Sequence, residues 1–134
     1  MIFKAVCFDL DGTLLDTLDD LAYCINKILS ERGYPIHHVD SFRSFVGDGA
    51  KMLVTRVLPE EARNENLIEE CRKDFENLYR ECWNKKTVPY KGIPELLNAL
   101  TELKLKLTVL SNKPQEFTVL TVAHLLRNWK FVSN

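Results

Sequence analysis

Two short apolar runs, far apart in the chain, constrain the fold more than any other feature. The first, Ala5-Val6-Cys7-Phe8, is continuously apolar and stops at Asp9. The second spans residues 104–110, alternates between polar and apolar residues before it turns apolar, and stops at Ser111. A short apolar run bounded by polar turn residues is typical of a strand buried on both faces of a parallel sheet. A helix pattern follows each run, and this alternation predicts an α/β fold with a parallel sheet.

The sequence between the two strands predicts helices only. Its clearest pattern is an amphipathic helix that runs to about Lys85, with apolar side chains recurring every three or four residues. No strand pattern interrupts this block. We therefore predict an all-helical domain over residues 16–87, inserted into a core formed by residues 1–15 and 88–134.

Local signals mark where several helices begin. Thr17 and Asp20 have the spacing of a capping box at the start of the first helix. Gly47-Asp48-Gly49 separates two short helices, and Pro114 opens a last helix that is apolar on nearly every side. Such an apolar helix is expected to be buried or to lie in an interface.

Composition and charge exclude several classes of protein. Hydrophobic residues make up 46% of the chain and charged residues 28%, which are the proportions of a globular protein. The net charge of −1 leaves no basic excess for binding nucleic acid or an anionic membrane. No apolar run approaches the roughly 18 residues that a membrane span needs, and the N-terminus lacks the features of a signal peptide. We expect a cytoplasmic protein with no nucleic-acid or membrane partner.

The cysteines give no sign of a disulfide framework or a metal site. They are widely spaced, form no CxxC pair and have apolar neighbours at helix or strand spacing. We therefore expect buried, reduced thiols. The four residues are Cys7, Cys24, Cys71 and Cys82.

The polar residues that follow the two strands are suited to chemistry on a phosphate. Asp9 and Asp11 follow the first strand, and Ser111 and Asn112 follow the second. In open α/β sheets the active site lies at the carboxyl ends of the strands. Two neighbouring carboxylates need a cation or a shared proton, and Mg²⁺ often binds one or two carboxylates together with substrate phosphate.

This arrangement is compatible with phosphoryl transfer. An ionised aspartate beside Mg²⁺ can attack phosphorus and form an aspartyl-phosphate, while a second carboxyl moves the proton. The Ser111 hydroxyl and the backbone N–H groups that begin the last helix are suited to phosphate oxygens. A receiver-like phosphate acceptor built from Asp9 and Ser111 is an alternative, although the helical insertion argues against it.

Other motifs fail on inspection. The Asp9-Leu10-Asp11 run begins like an EF-hand loop, but Leu14 stands where that loop needs glycine. The glycines at 47 and 49 form only half of a dinucleotide-binding fingerprint, with no strand before them. His37 and His38 are adjacent and would diverge on a helix or strand, so a metal role is not expected.

Residues 6–16, which contain the DxDGT motif after an apolar strand, resemble the first signature of the haloacid dehalogenase superfamily. Ser111 after the second strand resembles the second signature. The resemblance implies that Asp9 is the nucleophile and a magnesium ligand. It further implies that Asp11 is the acid/base and gives a backbone carbonyl to the metal. The phosphate-binding residues implied are Gly12, Thr13, Ser111, Asn112 and Lys113.

The helical insertion resembles the cap of one class of this superfamily. Residues 11–17, 45–50 and 111–113 are most similar to phosphoglycolate phosphatases, which implies 2-phosphoglycolate as the substrate. In this resemblance Gly47 and Gly49 belong to a loop that closes on the substrate, with Lys51 nearby. Beta-phosphoglucomutases and other phosphatases of small phosphoesters share much of the pattern.

The chain departs from the family at its C-terminal side. The third signature, a lysine, and the fourth, an acidic strand end that adds a metal ligand, do not occur in the 134 residues. The resemblance therefore covers the N-terminal half of such a protein, with a truncated Rossmann-like core. We expect very low activity from this chain alone and a homo-oligomer formed through the exposed sheet edge. The alternative is an incompetent fragment or pseudoenzyme that acts as a magnesium- or phosphate-binding or oligomerisation module.

Overall fold

A computed structural model describes residues 2–132. Strands β1 (Ala5–Phe8) and β4 (Lys106–Val109) pair in parallel, with Ala5 opposite Lys106 and Phe8 opposite Val109. On the other side of β4, Leu107 forms a parallel bridge to Phe131. The prediction of an α/β fold with a small parallel sheet is confirmed.

Six α-helices lie in the described part of the chain. The first four follow one another between the two strands of the parallel sheet, joined by short 3-10 turns at Val39–Ser41 and Glu60–Ala62. The last two flank β4. The helices are α1 (Leu18–Glu31), α2 (Phe42–Phe45), α3 (Ala50–Val57), α4 (Glu65–Cys82), α5 (Ile93–Glu102) and α6 (Gln115–Leu125).

A second, very small sheet was not predicted. Strand β2 (Leu15–Asp16) pairs antiparallel with β3 (Val88–Pro89). These are the two places where the chain enters and leaves the helical block. Strands of two residues have no readable alternation of apolar and polar side chains, so the sequence carries no signal for them.

The predicted capping box at α1 is wrong. The Thr17 side chain makes no capping hydrogen bond, and its buried Oγ1 has no protein hydrogen-bond partner. Asp20, only 3% exposed, instead accepts hydrogen bonds from the backbone N–H groups of Lys86 and Thr87 and from the Thr87 hydroxyl at 2.8–3.1 Å. The carboxylate therefore ties the start of α1 to the segment just before β3.

Two apolar clusters form the core. The larger one is built almost entirely from α1–α4 and includes the buried apolar face of α1 as well as Phe75 and Tyr79 of α4. Phe117 of α6 also belongs to this cluster. The smaller cluster lies against the parallel sheet and consists of Leu10, Leu14, Leu15, Leu97, Leu107 and Leu126. The division at residues 16 and 87 remains a prediction, and these clusters agree with it.

Burial at the sheet differs from the prediction. Strand β1 is exposed or half-buried along its length, because β4 pairs with one of its edges and no described strand pairs with the other. Cys7 is consequently exposed, while the other three cysteines are buried and free, as predicted. Burial, with the neighbouring Cys82 thiol, raises the pKa of Cys24 to about 12.

The last helix, α6, is more exposed than a buried helix would be, and α5 also exposes apolar side chains. In α5 only Leu97 is buried, whereas Leu96 and Leu103 near it are exposed. In α6 Phe117 packs inward and Val119 is exposed. Too little of the described chain covers these helices to bury every apolar side chain. Within residues 2–132, no helix combines the length and hydropathy that crossing a membrane requires.

Candidate active site

The carboxyl ends of β1 and β4 open into one cleft of about 530 Å³, including its mouth. The parallel pairing of the strands places their polar C-terminal segments side by side, as expected for a parallel sheet. The loop between α2 and α3 forms the opposite wall. Seven of the predicted site residues line this cleft: Asp9, Asp11, Gly47, Gly49, Ser111, Asn112 and Lys113.

The two aspartates differ in their surroundings. Asp9, directly after β1, is exposed, and its Oδ1 accepts a hydrogen bond from the Leu10 backbone N–H at 2.8 Å. The Asp11 side chain is only 19% exposed, and its Oδ1 accepts a hydrogen bond from the Lys113 ammonium at 3.1 Å. One carboxylate is therefore open to a ligand, and the other is half-enclosed and held by a cation.

Lys113 is the most enclosed charged side chain of the cleft wall. Its side chain is 4% exposed, and its Nζ donates to Asp11 Oδ1 at 3.1 Å and to the Tyr79 hydroxyl at 2.8 Å. A buried ammonium needs such partners because burial without them is costly. These two hydrogen bonds connect the segment after β1, the segment after β4 and helix α4.

The loop between α2 and α3 touches the segment after β4 directly. The Asn112 side-chain amide donates to the Gly47 carbonyl at 2.8 Å. Gly49 has a φ of +87°, and a Cβ there would stand 3.4 Å from the Asn112 carbonyl oxygen. A side chain at position 49 would therefore be strained by its backbone conformation, while its Cβ would be in van der Waals contact with residue 112. The loop is further held by an ion pair between Asp48 and Arg56.

Three hydrogen bonds order the segment that follows β4. The Ser111 hydroxyl accepts a hydrogen bond from the Lys113 backbone N–H at 3.1 Å. Arg80 of α4 binds the Glu116 carboxylate through two nitrogens at 3.0 and 3.2 Å, which lowers the pKa of Glu116. The helical block thus contacts the segment that follows β4 at several points.

Three predicted site residues do not reach the cleft. The Gly12 and Thr13 backbone N–H groups are used within the turn, where they donate to the carbonyls of Leu15 and Leu10. Lys51 lies at the surface and pairs with Glu65 at 2.6 Å. Hydrogen bonds within the turn therefore occupy the N–H groups of Gly12 and Thr13. Lys51, at the start of α3, is directed toward α4.

The sequence missed the apolar part of the cleft and one polar residue in it. Tyr79 of α4 was not among the predicted site residues, but its hydroxyl accepts a hydrogen bond from the Lys113 ammonium. A tyrosine within a buried stripe needs a partner for its hydroxyl, and this was the available signal. The apolar lining residues are Leu21, Val46, Ala50, Leu53, Phe75, Pro114 and Phe117.

The acidic side chains of the cleft determine what kind of divalent-cation site it can form. Among residues 2–132, no three His, Cys, Asp or Glu side chains come together as a metal-binding group. Two acidic residues, Asp9 and Asp11, line the cleft. Mg²⁺ commonly binds through one or two carboxylates and completes its shell with waters and substrate phosphate oxygens. The residues present fit such a partly protein-bound cation and do not form an all-protein cage.

Comparison with known families identifies the family of this chain. A profile described as haloacid dehalogenase-like hydrolase matches residues 6–131. The chain belongs to this family of hydrolases. The match spans both strands that end at the cleft and the whole helical block between them.

Relatives of this hydrolase support the same assignment. It is 35% identical over 130 residues to a phosphoglycolate phosphatase of Pseudomonas savastanoi pv. phaseolicola, which covers 95% of this chain and 46% of that protein. It is 36% identical over 118 residues to the phosphoglycolate phosphatase of Aquifex aeolicus, covering 86% and 52%. The hydrolase chain therefore spans about half the length of the curated relatives that it matches.

Solved structures share its fold. A crystal structure from Lactobacillus delbrueckii subsp. bulgaricus superposes with a TM-score of 0.88 at 28% identity, covering 98% of this chain and 64% of that one. A predicted phosphoglycolate phosphatase from Haemophilus somnus gives a TM-score of 0.82 at 28% identity, covering 96% and 61%. The small parallel sheet with its helices is thus the Rossmann-like core arrangement of this family.

Proposed function

We propose that this hydrolase forms the N-terminal part of a magnesium-dependent phosphatase that acts on a small phosphomonoester. The observation that carries the proposal is the cleft in which Asp9, Asp11, Ser111 and Lys113 meet at the carboxyl ends of β1 and β4. Similarity to phosphoglycolate phosphatases supports 2-phosphoglycolate as the substrate. A cytoplasmic location is part of the same proposal.

Asp9 is the proposed nucleophile. Its exposed carboxylate lies at the cleft, so an oxygen can attack phosphorus as the bond from phosphorus to the leaving alcohol oxygen breaks. The product of this step is an aspartyl-phosphate on Asp9. Water then attacks the phosphorus, the bond to the Asp9 oxygen breaks, and inorganic phosphate leaves with the carboxylate restored.

Asp11 is the proposed acid and base. In its protonated form it gives a proton to the leaving alcohol oxygen, and as a carboxylate it takes one from the attacking water. Ser111, Asn112 and Lys113 are proposed to bind the phosphoryl oxygens. Gly47 and Gly49 are proposed to close over the substrate as part of a cap formed by residues 16–87.

Magnesium would be held by the Asp9 carboxylate and the Asp11 backbone carbonyl, in keeping with the family resemblance. Its chemistry there is the neutralisation of charge between the carboxylate and the phosphoryl oxygens. The described donors leave most of the coordination shell to water and ligand, so the protein's own contribution is small.

Weak, phosphate-dependent magnesium binding is the expected result of calorimetric titration. Adding inorganic phosphate should strengthen binding, because phosphate supplies oxygen ligands that the protein lacks. Asp9→Asn should abolish the effect, while the matched variant Asp19→Asn, at an exposed position of α1, should retain it. Tight binding that Asp9→Asn leaves unchanged would contradict the proposed site.

The proposed reaction is tested by release of phosphate from 2-phosphoglycolate in the presence of magnesium. Activity should depend on Asp9 and should survive Asp19→Asn. Glucose 1-phosphate and other small phosphomonoesters, assayed in parallel, test the substrate. Turnover that Asp9→Asn leaves intact would reject the proposed nucleophile, and a preference for another phosphoester would reject the proposed substrate.

We further propose a homo-oligomer formed through the free edge of β1. Among the described strands none pairs with this edge, and an unpaired edge is a template for pairing with another chain. Light scattering at micromolar concentration should show a dimer or larger species. Cys7→Lys, which places a charge on exposed β1, should shift the protein toward monomer. A monodisperse monomer in the unmodified protein would contradict this assembly.

A further inference from the structure

The Lys113 ammonium has a partner that the reaction scheme does not use. Besides Asp11, its acceptor within the described chain is the Tyr79 hydroxyl at 2.8 Å. An ammonium carries three N–H donors, so these two bonds leave one donor free. Lys113 lines the cleft, and the free donor is therefore available to an oxygen of a bound ligand.

Tyr79 is held firmly enough to fix the position of this ammonium. The residue is 1% exposed, its ring stacks on Phe75 at 5.3 Å, and it forms a T-shaped pair with Phe117 at 5.2 Å between ring centroids. These contacts come from α4 and α6 and leave the hydroxyl directed at Lys113. The Lys113 stem is long and flexible, so a second fixed acceptor restricts it far more than Asp11 alone would.

The Tyr79 hydroxyl is neutral. Burial, followed by the negative charge of Asp11, raises its pKa well above the usual range for tyrosine. A neutral phenol can accept a hydrogen bond from an ammonium while keeping its own proton. The lysine is thereby held without a second full negative charge, which would compete with a phosphate for the same cation.

We propose that Tyr79 is a positioning residue that holds the Lys113 ammonium beside Asp11 so that its remaining N–H binds a phosphoryl oxygen in the cleft. This proposal rests on the proposed function and adds a residue of the helical block to the phosphate site. Because α4 belongs to the proposed cap, the affinity for phosphate would depend on the placement of that helix.

Tyr79→Phe tests the proposal because it removes the hydroxyl and keeps the ring that packs on Phe75 and Phe117. The probe is inorganic phosphate with magnesium, followed by amide shifts of residues 111–113 in NMR spectra of the ¹⁵N-labelled 134-residue chain. We expect phosphate affinity to fall about 10-fold, the size typical of one hydrogen bond to a charged group. Tyr23→Phe, on an exposed part of α1, is the matched control and should leave affinity unchanged.

Two further readouts separate positioning from a general effect on stability. The Lys113 ammonium signal should be observable in the ¹⁵N spectrum of the parent chain and should broaden or vanish in Tyr79→Phe. In a Lys113→Met background, Tyr79→Phe should weaken phosphate binding no further, because both changes act through the same ammonium.

The outcomes distinguish the proposed positioning role of Tyr79 from the proposed phosphate site on which it rests. If the parent chain binds no phosphate, or Lys113→Met binds it equally well, the proposed phosphate site fails. If the parent binds phosphate through Lys113 but Tyr79→Phe changes neither the affinity nor the ammonium signal, the positioning role of Tyr79 is overturned and the phosphate site stands.

Discussion

A polypeptide of these 134 residues should release phosphate from 2-phosphoglycolate at least ~10³-fold more slowly than the same chain extended by the remaining family signatures. The proposed reaction places the negative Asp9 carboxylate against a negatively charged phosphoryl group. Of the groups that the family resemblance assigns to offsetting this charge, the chain lacks the third-signature lysine and the acidic strand end. Removing one preorganised stabilising group commonly lowers the rate by ~10²–10³.

The two losses need not add in free energy, because groups that act as a unit are not independent. We expect Lys113 to offset part of the deficit, since it already lies in the cleft beside Asp11. It is nevertheless bound to Asp11 and Tyr79, with one donor left for phosphate. We therefore expect the lower bound of ~10³ to hold despite this lysine.

The assay compares three proteins: the 134-residue chain, an extended form and the Asp9→Asn variant of that extended form. The extension is the downstream coding sequence or, in a chimera, the C-terminal part of the Pseudomonas savastanoi relative. Activity of the extended form should drop by at least ~10⁴ in Asp9→Asn, as for loss of a nucleophile. Robust Asp9-dependent turnover by the short chain would show that Lys113 or a second copy supplies the missing charge.

Replacing Asp20 with alanine should destabilise the protein by about 3–4 kcal/mol, the cost of leaving several buried donors unsatisfied. The carboxylate accepts from the Lys86 and Thr87 N–H groups and from the Thr87 hydroxyl, and Thr87 is itself buried. The two Thr87 donors are buried and the Lys86 N–H is partly buried, so removal of the carboxylate leaves the Thr87 donors without their protein acceptor. The midpoint of urea unfolding, read at a constant slope, measures the effect.

Asp19→Ala is the matched control for this variant. Asp19 lies one residue earlier in α1, carries the same charge and is exposed. We expect its effect on the free energy of unfolding to stay within about 0.5 kcal/mol, as for most surface substitutions. Equal losses in the two variants would mean that Asp20 acts only through helix-terminus charge and not through its bonds to residues 86 and 87.

The elements that the sequence predicted correctly have strong local signals. The apolar stripe of α4 recurs at helical spacing, and the two main strands stop at polar residues, so both could be read without knowing the fold. The meeting of Asp9 with Ser111 also followed from sequence, because parallel strands present their carboxyl ends at the same edge. Assignment of roles to these residues came from the family resemblance.

The errors fall where a residue had more than one possible partner. Thr17 and Asp20 have capping-box spacing, yet Asp20 binds residues 86 and 87 instead. Lys51 has the charge for a substrate site, and α3 places it beside Glu65, so its role at the substrate stays a prediction. Cys7 had the apolar neighbours of a buried thiol, but the described chain leaves its strand uncovered.

The sequence by itself determined the order of the main helices and of the two strands β1 and β4, with the polar residues at the ends of these strands, because these depend on periodicity and on neighbours along the chain. The tertiary structure alone decided that Tyr79 meets Lys113 and that Asp20 fastens the segment before β3. These contacts join residues far apart in sequence, and their geometry depends on how α1 and α4 pack and rotate. A buried donor or acceptor must find a partner, but only the packed structure determines which one lies within reach.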